Sequence, residues 1–218
     1  MTKALSSRRT VLSLVTVLAA STALSACAPL VLGSAAAGAF VATDRRTAGM
    51  QLEDQTIELK ARSRITDAIG DRGHINVNAY NRMILLTGEV RDEADKAAAS
   101  QAAAATENAR GVINELEVTL TSSLSSRSND VLIAGKVKAT FIDARDVMSN
   151  AFYVVVERGN VYLMGLVTER EAKRAAELAA SIPGVKRVIK AFEIISEDEL
   201  ARKLPHKPDF AASGASAP

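Results

Sequence analysis

The residue best suited to covalent chemistry is Cys27, the one thiol in the chain. A single cysteine cannot close a disulfide within the chain, so its sulfur remains a nucleophile. It ends the tetrad Leu24-Ser25-Ala26-Cys27, directly behind an apolar run. Other reactive candidates are sparse. The two histidines, His74 and His206, stand in different contexts. Asp92, Glu93 and Asp95 cluster where a helix start accounts for acidic residues through the helix dipole. No Ser-His-Asp arrangement, cysteine-histidine metal spacing or glycine-rich phosphate loop stands out. The expectation is a protein that is not an enzyme, with no cofactor and no metal ligands.

What precedes the cysteine explains it. Lys3, Arg8 and Arg9 form a basic n-region, residues 11–24 an apolar h-region, and small residues occupy the cleavage point, the layout of a secretory signal. The apolar run is short of the roughly 20 residues a membrane-spanning helix needs. Leu-Ser-Ala-Cys reads as a bacterial lipobox, which predicts a signal peptide over 1–26, lipidation of Cys27 and a lipidated tether over 27–50. Each buried methylene contributes about 0.8 kcal/mol, and stable anchoring needs more than one chain, which a multiply acylated, palmitate-bearing cysteine supplies. Ala28 stands where an aspartate would favour retention in the inner membrane, so the expected address is the outer membrane. The 27 basic and 25 acidic residues nearly cancel, so no footprint for nucleic acid is visible.

About 190 residues follow the leader, enough for one ordinary domain or two small ones. An internal repeat decides for two. Gly88-Glu89-Val90, Lys96 and Ala98-Ala99 reappear 77 positions on as Gly165-Leu166-Val167, Lys173 and Ala175-Ala176. Val112-Ile113 recurs 76 positions on as Val188-Ile189, and Asp54, Ile57, Ala61 and Ile65 match Asp130, Ile133, Val137 and Phe141.

The second copy carries the cleaner signals. Ile133, Val137 and Phe141 at four-residue spacing predict an amphipathic helix over about 129–142, capped by Ser128 or Asp130. Two β-rich runs, 153–157 and 160–166, flank Arg158-Gly159 and predict a hairpin. Thr168 and Glu171 fit a capping box before an alanine-rich helix that stops at Pro183-Gly184. A strand over 185–195 closes the unit. The predicted class is α+β: two tandem modules, each helix-strand-strand-helix-strand, with a three-stranded sheet covered by two helices. The modules fall at 51–121 and 129–197, a serine-rich junction at 122–128, and a disordered tail at 198–218.

The string GLVTEREAKRAAELAASIPGVKRVIKAF (165–192) resembles the BON domain, a bacterial module of osmotic-shock and periplasmic proteins. With the lipobox, the segment ATDRRTAGMQLEDQTIELKARSRI and the SND at 128–130, the chain resembles outer-membrane lipoproteins with two BON domains. That resemblance implies an αββαβ fold per module and a role in outer-membrane integrity. It also implies that the second module binds anionic phospholipid through its first helix, with enrichment at the division site. Carried onto this chain, the lipid-binding residues are Val131, Leu132, Gly135, Lys136 and Ala139, opposite the inward Ile133, Val137 and Phe141. A close relative carries tryptophan where this chain has Leu132, and leucine has no N–H to offer the headgroup region. Lys136 and Lys138 add attraction of about 1 kcal/mol per basic residue at an anionic surface.

The alternative expectation is a periplasmic scaffold that binds envelope-assembly or peptidoglycan-remodelling proteins. Exposure separates the two readings: Val131 and Leu132 open to solvent beside the lysines favours lipid, and cover by the first module favours a structural contact. Lys186, Arg187 and Lys190 suit headgroup contact or charge protection of an edge strand.

Overall fold

The computed structural model describes residues 44–203. The expected signal peptide, Cys27, the tether up to residue 43 and the tail from residue 204 lie outside the described residues. Two copies of one unit follow each other. The first runs α1 (Ala48–Ile69), β1 (Gly73–Tyr80), β2 (Met83–Val90), α2 (Glu93–Ala104), β3 (Gly111–Asn114) and β4 (Glu117–Val118). The second runs α3 (Leu124–Asp143), a short 3-10 turn, β5 (Tyr153–Glu157), β6 (Asn160–Val167), α4 (Glu169–Ala180) and β7 (Arg187–Ile194), and α5 (Glu197–Lys203) follows it. In each copy the middle strand pairs antiparallel with the strand before it and parallel with the strand after the helix.

The same buried aspartate ties helix to hairpin in both copies. Asp54 of α1 accepts the backbone N–H groups of Asn81 and Arg82, at 2.8 and 2.7 Å. Asp130 of α3 accepts those of Arg158 and Gly159, at 2.9 and 2.8 Å. All four turn residues have positive φ, as the tight turn between twisted strands requires, and a carboxylate is the acceptor that satisfies two adjacent N–H groups. Asp130 is therefore not the helix cap. Ser123 is, accepting from Ser126 N, and α3 starts five residues before the expected Asn129, absorbing most of the serine-rich junction.

Side chains alternate across each strand, and here both faces are used. Ile84, Leu86, Val161 and Leu163 pack under the helices of their own modules with Ile57, Ala61, Ile65, Ile133, Val137 and Phe141. Leu85, Tyr162, Met164 and Leu166 point the other way and form a third core with Tyr80, Ile195 and Leu200. This seam joins the modules sheet to sheet. It accounts for the unbroken burial of β6, which a module standing alone would leave half wet. Leu200 lies on α5, so the expected tail at 198–218 begins with a helix docked on the seam, and its apolar residue gives that helix a reason to form.

Polar ties cross the same seam. Arg45 grips Glu171 with two hydrogen bonds of 2.8 and 2.7 Å and donates to the Leu166 carbonyl at 2.7 Å. Its side chain is 2% exposed. Burial alone would raise the Glu171 carboxyl, but the bonds from Arg45 and the Thr168 amide, with the Arg45 charge, outweigh it and hold the group below the usual range. The expected capping box is present around that glutamate.

The copies differ in their last strand. β7 is continuous over eight residues, whereas the first module breaks into β3 and β4. At the break Asn114 accepts from Leu116 N and donates to the Lys96 carbonyl, while Leu116 drops into the core. Gly88 and Gly165 lie within β2 and β6, each two residues before the strand's end. A Cβ on Gly88 would meet the His74 carbonyl oxygen at 2.0 Å, so close backbone approach requires glycine there.

Candidate membrane-contact face

α3 owes its position to one side and leaves the other open. Asp130, Ile133, Val137 and Phe141 face inward. On the opposite side Val131 is 71% and Leu132 62% exposed. Gly135, Lys136 and Ala139 are exposed as well, and a Cβ added at Gly135 meets nothing within 4 Å. The first module does not cover any of these five positions, which the structure gathers on one surface.

Two further residues extend the surface. Leu124 is 80% and Ile142 70% exposed. At 3.6 residues per turn, Leu124, Ser128, Val131, Leu132, Gly135, Ala139 and Ile142 fall within about 100° of arc, over a length of about 27 Å. Lys138 borders this stripe on one side and Lys136 on the other. Sequence reasoning missed Leu124 because the helix was expected to begin after it, and missed Ile142 because it closed the expected helix. The spacing 124, 131, 135, 142 was the available signal.

A stripe of this kind, small and mainly apolar apart from Ser128, with Lys136 and Lys138 along its margins and Asp143 at its C-terminal end, suits a surface with an apolar interior and anionic headgroups. No described helix is long and apolar enough to cross a membrane. The arrangement allows shallow contact.

A second basic region lies at the sheet edge formed by β7. Lys173, Lys186, Arg187 and Lys190 line a cavity of about 470 Å³ there. Arg187 is partly committed, donating to the Asn160 carboxamide oxygen at 3.2 Å and lying 3.5 Å from Glu117. That region therefore has a structural duty at the seam.

The chain belongs to the BON-domain family: the BON domain model matches residues 53–119 and again 129–196. Among individual proteins, the chain is 38% identical over 175 residues to the outer membrane lipoprotein DolP of Haemophilus influenzae, covering 79% of this chain and 90% of that protein. It is 29% identical over 154 residues to the 21 kDa hemolysin of Actinobacillus pleuropneumoniae, covering 70% of this chain and 79% of that one. Among solved structures, CdsD, a structural protein of the type III secretion system of Chlamydia trachomatis, matches 70% of this chain and 99% of its own at 11% identity, with a TM-score of 0.28. That last likeness is too weak to speak to function.

Proposed function

We propose that this chain is an outer-membrane lipoprotein, anchored through Cys27 on the periplasmic side, whose second BON module binds anionic phospholipid through the outer face of α3. In this role it supports envelope integrity and cell division and catalyses no reaction. The observation that carries the reading is the open stripe of Leu124, Val131, Leu132, Gly135, Ala139 and Ile142 between Lys136 and Lys138. Its likeness to an outer membrane lipoprotein over most of both chains supports the address.

The energetics favour a reversible contact. Full burial of a valine or leucine side chain contributes about 1.5–3 kcal/mol, and partial insertion less. Each lysine adds about 1 kcal/mol near an anionic surface. Together with a covalent anchor that confines the module to the membrane, such weak contact is sufficient. The chain from Ala28 onward, which lacks the anchor, is mixed with vesicles of zwitterionic lipid with and without anionic phospholipid, and sedimentation reads the bound fraction. Binding that needs anionic lipid and falls about tenfold or more in Leu132→Glu is the expected result. A folded chain that binds neither kind of vesicle overturns the reading and leaves the protein scaffold in its place.

A further inference from the structure

The polar side of β1 ends in a cluster that neither the fold nor the membrane face uses. Alternation along Gly73–Tyr80 sends His74, Asn76, Asn78 and Tyr80 toward the seam. In the antiparallel pairing His74 stands directly opposite Glu89 of β2, so their side chains share that face. From the other module, Glu157 at the end of β5 reaches across. Asn76 Nδ2 donates to Glu157 Oε2 at 2.7 Å, and Arg158 Nη1 lies 3.5 Å from Glu89 Oε1. Each carboxylate thus has one oxygen engaged from the side.

Three atoms are left over. His74 Nδ1, Glu89 Oε2 and Glu157 Oε1 are all buried and have no hydrogen-bond partner. The three side chains bring one ligand atom each to within 4.8 Å of one another. The Glu89 side chain is fully buried and Glu157 is 6% exposed. Two neighbouring, largely buried carboxylates, each with one oxygen unpaired, favour a cation in addition to the Arg158 guanidinium 3.5 Å from Glu89 and to Arg127, which lines the adjoining cavities. His74 Nδ1 lies 3.5 Å from Glu89 Oε2, long for a hydrogen bond and close to the roughly 3.3–3.6 Å edge of a tetrahedron with metal–ligand bonds of about 2.0–2.2 Å. On the open side, His74 and Glu89 border a cavity of about 670 Å³ that leaves room for a water ligand.

We propose that His74, Glu89 and Glu157 form a binding site for a divalent transition-metal ion of the zinc type, which staples the two modules across their seam. One imidazole and two carboxylates suit zinc, whereas calcium and magnesium prefer all-oxygen sets with more ligands. The two carboxylates balance the charge of the ion. Because two ligands come from the first module and one from the second, binding opposes separation of the modules. His74 and Glu157 share a cavity of about 270 Å³ with Val131 of α3, so the site adjoins one margin of that helix's outer face, while zinc binding and vesicle binding are read by separate measurements.

The test uses the full chain purified from membranes in mild detergent, stripped with a chelator and titrated with zinc, and separately with magnesium and calcium. The expected result is one zinc bound per chain, undisturbed by excess magnesium or calcium, with a higher unfolding temperature in zinc. His74→Ala and Glu157→Gln should each weaken binding by about 100-fold or more, beyond the 10–100-fold typical of residues that only support ligands. His206→Ala, which removes the one other histidine, should leave it unchanged. Equal binding by wild type and the first two variants, or no binding by wild type, overturns the proposal. Should those variants fail to fold, the zinc absorption edge of the wild type decides: a shell with one imidazole and carboxylate oxygens supports the site, and a shell of water alone overturns it.

Discussion

The positions at which α3 exposes Leu124, Val131, Leu132, Gly135, Ala139 and Ile142 correspond, through the 76-residue repeat, to Ala48, Gln55, Thr56, Leu59, Ser63 and Thr66 of α1. All twelve residues are exposed. Inward, the two helices are alike: Asp54, Ile57, Ala61 and Ile65 do for one sheet what Asp130, Ile133, Val137 and Phe141 do for the other. One scaffold therefore folds with a more polar outer face in the first module, where Leu52, at the repeat position of Ser128, and Leu59 are the exposed large apolar side chains, and a more apolar one in the second. The inward residues alone build the fold, so the apolar outer face is consistent with the contact proposed above. An exposed patch of that kind marks a contact site.

The largest expected effect comes from cutting the tie that crosses the seam between the modules. Arg45→Ala leaves Glu171 buried without its partner and should cost about 3–5 kcal/mol in denaturant unfolding. The pH dependence has a definite sign. The Glu171 carboxyl is held below its ordinary value of 4.5, so its contribution is fully present above that pH and is lost as pH falls through the folded value. In Arg45→Met that acid step should disappear from a series of unfolding curves between pH 6 and about 3.

Next comes a change that should treat the modules alike. Asp54→Ala and Asp130→Ala each strand two turn N–H groups and should each cost about 2–4 kcal/mol by thermal or denaturant unfolding, with Asp54→Ala at the upper end because it also takes the carboxylate from Arg46, 2.7 Å away. A loss in one copy only would mean that the shared aspartate does not do the same work in both. Smaller still is the effect of Lys136→Ala: stability should stay within about 0.5 kcal/mol, while binding to anionic vesicles weakens by about fivefold at low salt and less at high salt.

Much of this was legible in the sequence because the repeat states it twice. The four-residue spacing of Ile133, Val137 and Phe141, the Arg158-Gly159 turn and the Thr168–Glu171 box are local signals, and each stands where expected. The start of α3 was hidden because serines compete for backbone hydrogen bonds and read as linker, until Ser123 caps the helix. Asp130 looked like a cap because its true partners, the turn amides, lie 28 and 29 residues away. The break between β3 and β4 depends on the Asn114 side chain and the burial of Leu116, which no periodicity announces. His74, Glu89 and Glu157 share no motif spacing, since strand pairing and the packing of one module on another bring them together.

Whether the outer face of α3, rather than that of α1, meets anionic membranes is decided by a mirrored pair of substitutions. Leu132→Glu and Thr56→Glu place the same charge at the same repeat position, one in each module. Vesicle sedimentation of both, beside wild type, should show binding lost in Leu132→Glu and retained in Thr56→Glu, with unfolding midpoints unchanged. Equal loss in both variants, or loss in neither, would contradict a contact through α3.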